Sequence, residues 1–167
     1  WLYPATGWGY LALSIYQAAY FPLMACPLRH GIRRRVIPLA LWVAVIWTGG
    51  ELLRAVVLSG FPWFFLSHSV YKVLTLIQVS DITGAYGVSF LIAAVNGGVA
   101  DWLLRRLDLP HEERHANHAK RVRWSAITAL ALFVAVVVYG QIQLRRGTTV
   151  PGPTVAVLQG DFISSVH

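Results

Sequence analysis

Four apolar stretches, each long enough to cross a bilayer as a helix, limit what this chain can fold into. They run over Ala5–Ala25, Ile37–Leu58, Gly84–Leu104 and Trp124–Leu144. Crossing ~30 Å of hydrocarbon takes about 20 helical residues. In lipid, every backbone polar group needs a partner inside the protein, so a span is a helix or part of a closed barrel. Stretches of this length predict helices. Composition agrees: charged residues are 13% of the 167, about half of the roughly 25% usual in soluble domains. So much apolar surface excludes a disordered chain. Cys26 is the single cysteine, which excludes a disulfide scaffold. The chain opens on Trp1 rather than Met and shows no signal-peptide pattern, so it reads as a fragment or a processed chain.

The net charge of +7 is unusual for so apolar a chain. Its distribution argues against nucleic acid and for a polytopic membrane protein. Arg29, Arg33, Arg34 and Arg35 follow the first stretch; Arg105, Arg106, Arg114, Lys120, Arg121 and Arg123 follow the third. Ten of the 14 basic residues thus fall in two loops. With four spans both loops share a side, and the positive-inside rule makes it cytoplasmic. The segment Ser59–Thr83 and the C-terminal tail then face outward.

Ser59–Thr83 is aromatic and aliphatic but broken by Pro62, Ser67, His68, Lys72 and Asp81. It reads as a re-entrant or interfacial arm, or as a loop covering helix ends. Beyond the fourth span, Pro151, Gly152 and Pro153 mark a linker. Val155-Ala156-Val157-Leu158 then reads as a buried strand. One strand is not stable alone, so a further outward domain is expected to begin here.

Few motifs carry chemistry. His111-Glu112-Glu113-Arg114-His115 fits the H-E-x-x-H zinc pattern, with His118 close by. The segment is polar, follows Pro110 and has no apolar wall, so it is read as a solvated loop, and no metal is expected. Glu51 and Arg54 lie three residues apart inside the second span, on one helix face. Ionisable groups at that depth are costly and face the protein or water. They are expected to form an ion pair that fixes packing, or to shape a polar pocket near the outer face. Cys26 is expected to be a packed small hydrophobe. Asn96, Gly97 and Gly98 are expected to allow close helix approach. No catalytic triad or dinucleotide fingerprint appears, and no cofactor is expected.

Several motifs in order resemble one family. Trp47, Gly50-Glu51-Leu52-Leu53-Arg54, Gly60-Phe61-Pro62-Trp63, Gln78, Thr83-Gly84-Ala85-Tyr86-Gly87-Val88-Ser89-Phe90 and Asn96 are similar to those of the bacterial apolipoprotein N-acyltransferases. Val155-Ala156-Val157-Leu158-Gln159-Gly160-Asp161 resembles the first strand of that family's nitrilase-like domain. There are departures: Ser67-His68-Ser69-Val70 stands where the family often has Gly-Tyr-Ser-Gln, and Phe162-Ile163-Ser164-Ser165 where it commonly continues Ile-Pro-Gln.

The resemblance implies an all-α polytopic bundle of about four transmembrane helices with a re-entrant or interfacial arm. It implies a helical domain over 1–146, a linker over 147–153, and the start of a truncated α/β nitrilase-like domain over 154–167. The family moves an acyl chain from phospholipid to the N-terminal diacylglyceryl-cysteine of lipoproteins. Its Glu-Lys-Cys triad lies in the nitrilase-like domain, so no catalytic residue is expected in this chain, and the chain alone is expected to be inactive. Glu51, Arg54, Phe61, Pro62, Trp63 and His68 are the candidate pocket and arm residues. The expected partners are the phospholipid donor, the diacylated lipoprotein and membrane lipids. The implied location is a bacterial inner membrane, with the tail periplasmic. Two alternatives are a transporter fragment using Glu51 and Arg54, and an intramembrane metalloprotease using His111 and His115.

Overall fold

The computed structural model describes residues 7–34, 37–57, 60–106, 115–147 and 152. Its helices are α1 (Gly7–Arg34), α2 (Leu39–Val56), the one-turn α3 (Leu74–Ile77), α4 (Ser80–Arg106) and α5 (His115–Arg145). A 3-10 turn spans Leu66–Val70. Four of these helices are long and apolar enough to cross a membrane: Gly7–Arg34, Leu39–Val56, Ser80–Leu104 and Arg123–Arg145. The expected strand Val155–Leu158 and His111–Arg114 lie outside the described residues, so the all-helical part of the expected fold is what stands.

The boundaries differ from the expected ones in two places. Pro27 does not end α1, which continues through Pro22 and Pro27 to Arg34. Proline is tolerated in a spanning helix, and Trp42 Nε1 on α2 donates to the Pro27 carbonyl at 2.9 Å, tying this part of α1 to α2. α4 includes a leading turn from Ser80, set off by a break at Gly84 (φ 63°, ψ −165°). Side chains other than hydrogen make that conformation costly. A Cβ at Gly84 would meet nothing within 4 Å, so backbone conformation, not space, calls for glycine here.

Successive long helices run up and down. Tyr16 Oη on α1 donates to the Val57 carbonyl beyond the end of α2 (2.8 Å), while Trp42 near the start of α2 meets Pro27. Ser125 Oγ on α5 accepts the Ala40 N–H at 3.0 Å. An orphan donor in the first turn of α2 is thereby capped from another helix. Arg33, Arg34, Arg106 and Arg123 gather at one end of the bundle, and the arm lies at the other.

The core is made of small residues. Ala44, Ala93 and Ala94 are buried at the α2–α4 contact, with Val43, Trp47, Leu66, Phe90 and Leu132 around them. Apolar burial gives helices little reason to associate in lipid, so close backbone packing must do it. Gly97 is the clearest case, because a Cβ there would stand 2.9 Å from Ala40 Cα and 3.0 Å from Val43 Cβ. At Gly98 a Cβ would stand 3.0 Å from Ala129 Cβ on α5. The expectation of close approach therefore holds for both glycines. Asn96 is exposed and bonds back to the Ile92 carbonyl at 2.8 Å.

Candidate functional site

Between α2 and α4 the chain folds back on the bundle, and one carboxyl group holds it there. Glu51 is 5% exposed. Its Oε1 accepts the Trp47 indole N–H one turn earlier (3.0 Å) and the Leu66 backbone N–H in the arm (2.7 Å). A buried backbone N–H without a partner is costly, so Glu51 fixes where the arm re-enters the protein. The next residue is held from the other side: the Ser67 N–H donates to Ser89 Oγ on α4 at 3.0 Å. Ser89 is fully buried and Ser67 nearly so.

Phe65 anchors the turn between these two bonds. It is buried and packs on Tyr86 of α4 (5.2 Å between ring centroids) and on His68 (5.7 Å). The Arg54 guanidinium lies 5.6 Å from the same ring centroid. Such a cation–π contact suits a cation partly removed from water. Arg54 Nη2 also donates to the Phe64 carbonyl at 3.4 Å, and the Arg54 carbonyl accepts the Phe61 N–H at 2.9 Å.

Arg54 and Glu51 therefore do not form the expected ion pair. Three residues apart on one helix, they turn to different parts of the arm: Glu51 to Leu66, Arg54 to Phe64 and Phe65. Among the described residues, Glu51 Oε2 and Arg54 Nε are buried without a hydrogen-bond partner, as is Ser67 Oγ. Glu51 and Arg54 thus each hold a different part of the arm against α2.

The outer part of the arm is aromatic and exposed. Phe61 stacks on Trp63 at 5.4 Å, and Trp63 meets Phe64 edge-on at 6.2 Å. Trp63 is 48% exposed and Phe64 79%. Phe64 has φ 56°, which costs a residue with a Cβ. Pro62 is exposed between these rings, and His68 is exposed beyond them. The structure thus brings Arg54 and His68 against Phe65, with Glu51 holding the next residue, Leu66, and leaves Phe61, Pro62 and Trp63 on the outer part of the arm.

Trp47, Phe65, Ser67, Tyr86 and Ser89 were not singled out from sequence as site residues. Trp47 could have been, since it stands four residues before Glu51 on one face. Phe65 and Ser89 are joined only by the fold. Cys26 is exposed on α1, contrary to expectation; α1 packs mainly on α2, so much of its perimeter is uncovered. His115 begins α5, and among the described residues no three His, Cys, Asp or Glu side chains come together as a metal site.

A family profile described as the apolipoprotein N-acyltransferase N-terminal domain matches residues 1–98, which include α2, the arm and most of α4. The chain belongs to that family. Among curated relatives, the apolipoprotein N-acyltransferase of Rhodopirellula baltica is 33% identical over 95% of this chain and 28% of its own length. The Geobacter metallireducens protein of the same name is 40% identical over 53% of this chain and 17% of its own length. That of Bradyrhizobium diazoefficiens is 31% identical over 95% of this chain and 27% of its own length. The chain therefore spans between 17% and 28% of these relatives. No solved structure matches it significantly. Family and helices together make this a multi-pass membrane protein of the acyltransferase family.

Proposed function

We propose that the chain is the membrane platform of an apolipoprotein N-acyltransferase. The observation that carries this reading is the aromatic arm tied by Glu51 and Ser89 over α2 and α4, within the residues matched by the family profile. Both substrates of such an enzyme are anchored in lipid. A catalytic domain acting on them needs a support at the membrane surface and an apolar entrance beside it. The exposed Trp63 and Phe64, with the half-buried Phe61 stacked on Trp63, supply aromatic surface of the kind that settles at headgroup level.

The chemistry implied by the family is a two-step acyl transfer. A cysteine thiolate attacks the phospholipid ester; the thioester forms and the lysophospholipid alcohol leaves with a proton. The α-amine of the lipoprotein's diacylglyceryl-cysteine then attacks the thioester. An amide forms, the amine loses its proton, and the thiolate is released. Covalent catalysis replaces one hard step with two easier ones. The Glu-Lys-Cys triad belongs to the nitrilase-like domain, whose start is proposed at 154–167. Cys26 is not that nucleophile; it sits toward the end of α1 that carries Arg33 and Arg34, away from the arm. The basic end is proposed to be cytoplasmic, and the arm and tail periplasmic, in a bacterial inner membrane.

The natural protein that carries this chain tests the reading directly. Given labelled phospholipid and a diacylated lipopeptide, it is expected to yield N-acylated lipopeptide and lysophospholipid in equal amounts. Absence of product from folded protein overturns the proposal. The 167-residue chain alone is expected to take no covalent acyl label, and stable label on Cys26 contradicts that. For orientation, single cysteines in a Cys26→Ser background are treated with an impermeant thiol reagent on whole cells. Labelling at Ser165 with protection at Asn117 is expected; the reverse pattern inverts the topology.

A further inference from the structure

Among the described residues, Gln17 Oε1, Thr48 Oγ1, Glu51 Oε2, Arg54 Nε and Ser67 Oγ are buried side-chain atoms with no hydrogen-bond partner. All of them belong to α1, α2 or the arm. Buried polar groups in folded proteins are nearly always satisfied, by protein or by ordered water, because leaving one alone is costly. At membrane depth the need is greater still.

Three of these atoms meet at one junction. Glu51 is 5% exposed and Ser67 6%. Glu51 Oε1 already holds the Leu66 N–H, so Oε2 stands beside the residue that Ser67 follows. The Ser67 N–H is taken by Ser89 of α4, which leaves the hydroxyl as its remaining polar group. Thr48 lies three residues before Glu51, on the same side of α2. It lines a cleft between α2, α4 and α5 together with Tyr86 and Phe90. Tyr86 packs in turn on Phe65, the neighbour of Leu66. A carboxyl oxygen and two hydroxyls thus lie where α2, α4 and the arm come together.

Their chemistry selects the ligand. The hydroxyls both donate and accept, while the carboxyl oxygen accepts. A hard metal cation takes about six oxygen ligands, and the Arg54 guanidinium, 5.6 Å from the Phe65 ring centroid, already places a positive charge beside the junction. An anion would face the Glu51 carboxyl group. A neutral molecule with donors and acceptors fits, and the burial of Glu51 and Ser67 restricts it to a small one. Water meets each condition. Buried waters typically make about three hydrogen bonds to polar groups otherwise unsatisfied, and one water bridges atoms up to roughly 5.5 Å apart.

We propose that an ordered water sits beneath the arm and bridges Glu51 Oε2, Ser67 Oγ and Thr48 Oγ1. It donates to Glu51 Oε2 and to one hydroxyl, and accepts from the other. The arm is then joined to α2 twice, directly through Leu66 and Glu51 Oε1, and through solvent from Ser67 to Glu51 Oε2. A water-mediated bond is nearly as favourable as a direct one. Such a site exists whatever reaction the natural protein performs.

The test is radiolytic footprinting of the natural protein that carries this chain, in detergent. Hydroxyl radicals formed from a bound water oxidise the side chains beside it, buried ones included. Trp47 and Trp42 make a matched pair: both are half-buried on α2, and each indole N–H is bonded, to Glu51 Oε1 and to the Pro27 carbonyl respectively. Trp47 is expected to be oxidised severalfold faster than Trp42, although Trp42 lies nearer the start of its helix. Thr48→Val combined with Ser67→Ala removes both hydroxyls and leaves the Ser67 N–H in place. The double variant is expected to cut Trp47 oxidation severalfold while the exposed Trp63 of the arm keeps its rate. If that variant does not fold, Ser67→Ala alone decides. Oxidation of Trp47 no faster than that of Trp42 overturns the proposal. So does a fast Trp47 rate that survives loss of the hydroxyls, which would mean that bulk solvent reaches it through opening of the arm.

Discussion

α1 and α4 look alike by length and hydropathy, yet the fold treats them differently. They have 28 and 27 residues, and their spanning windows have mean hydropathies of 1.3 and 1.5. Only 6% of the α1 window is buried, against 44% of the α4 window. The difference lies in side-chain size. α4 carries Ser89, Ala93, Ala94, Gly97 and Gly98 along its packed face, which lets other backbones come close. α1 turns Trp8, Tyr10, Leu11, Ile15, Phe21 and Leu23 outward. It holds to α2 through a few specific contacts, including Tyr16 with Val57 and Trp42 with Pro27. Hydropathy measures whether a helix suits the bilayer; small residues decide whether it suits other helices.

The strongest challenge to this contrast is Gly97→Leu. The added side chain meets the α2 backbone at Ala40 and Leu39, which cannot give way as a flexible side chain would. Overpacking of this kind costs about 3 kcal/mol, and thermal unfolding in detergent should show a large fall in midpoint. Gly49→Ala serves as the control, because a Cβ there meets nothing within 4 Å.

Glu51→Leu ranks next. It strands the Trp47 indole N–H and the Leu66 amide, while relieving the burial of a carboxyl group. A net loss of about 2 kcal/mol is expected. Glu51→Gln retains an acceptor oxygen and should lose clearly less. Adding Arg54→Leu should not restore stability to Glu51→Leu, because the two side chains serve different parts of the arm. Recovery in the double variant would revive the ion-pair account.

Ser125→Ala should cost about 1 kcal/mol, since the Ala40 N–H loses its cap. The smallest effect is expected on α1. Ile15 is 62% exposed, and Ile15→Ala should change stability by less than ~0.5 kcal/mol. A loss there as large as that of Ser125→Ala would mean that the outer face of α1 is covered by protein, and the contrast would fail.

Much of the membrane architecture was legible from residue order. Apolar runs of about 20 residues gave the spans because bilayer thickness sets helix length. The glycine pair at 97 and 98 marked the α4 packing face, and Glu51 was conspicuous because a carboxyl group is expensive at that depth. The end of α1 was not legible. A proline commonly ends a helix in water, whereas spanning helices tolerate it, and α1 runs through Pro22 and Pro27 to Arg34.

The partners of Glu51 and Arg54 show where sequence stops. Their i, i+3 spacing put them on one face and suggested that they satisfy each other. Tertiary structure brought the Leu66 amide to Glu51 and the Phe64 carbonyl and Phe65 ring to Arg54. These contacts cross 15, 10 and 11 positions of irregular chain, a path that periodicity does not encode. The same holds for the cleft, whose walls come from three helices and a turn. The sequence by itself determined which segments enter the membrane, because that depends on each segment's own transfer into hydrocarbon. Which of them pack, where the arm returns and what space remains between α2, α4 and α5 were decided by tertiary structure, since each depends on side chains distant in the chain meeting at contact range.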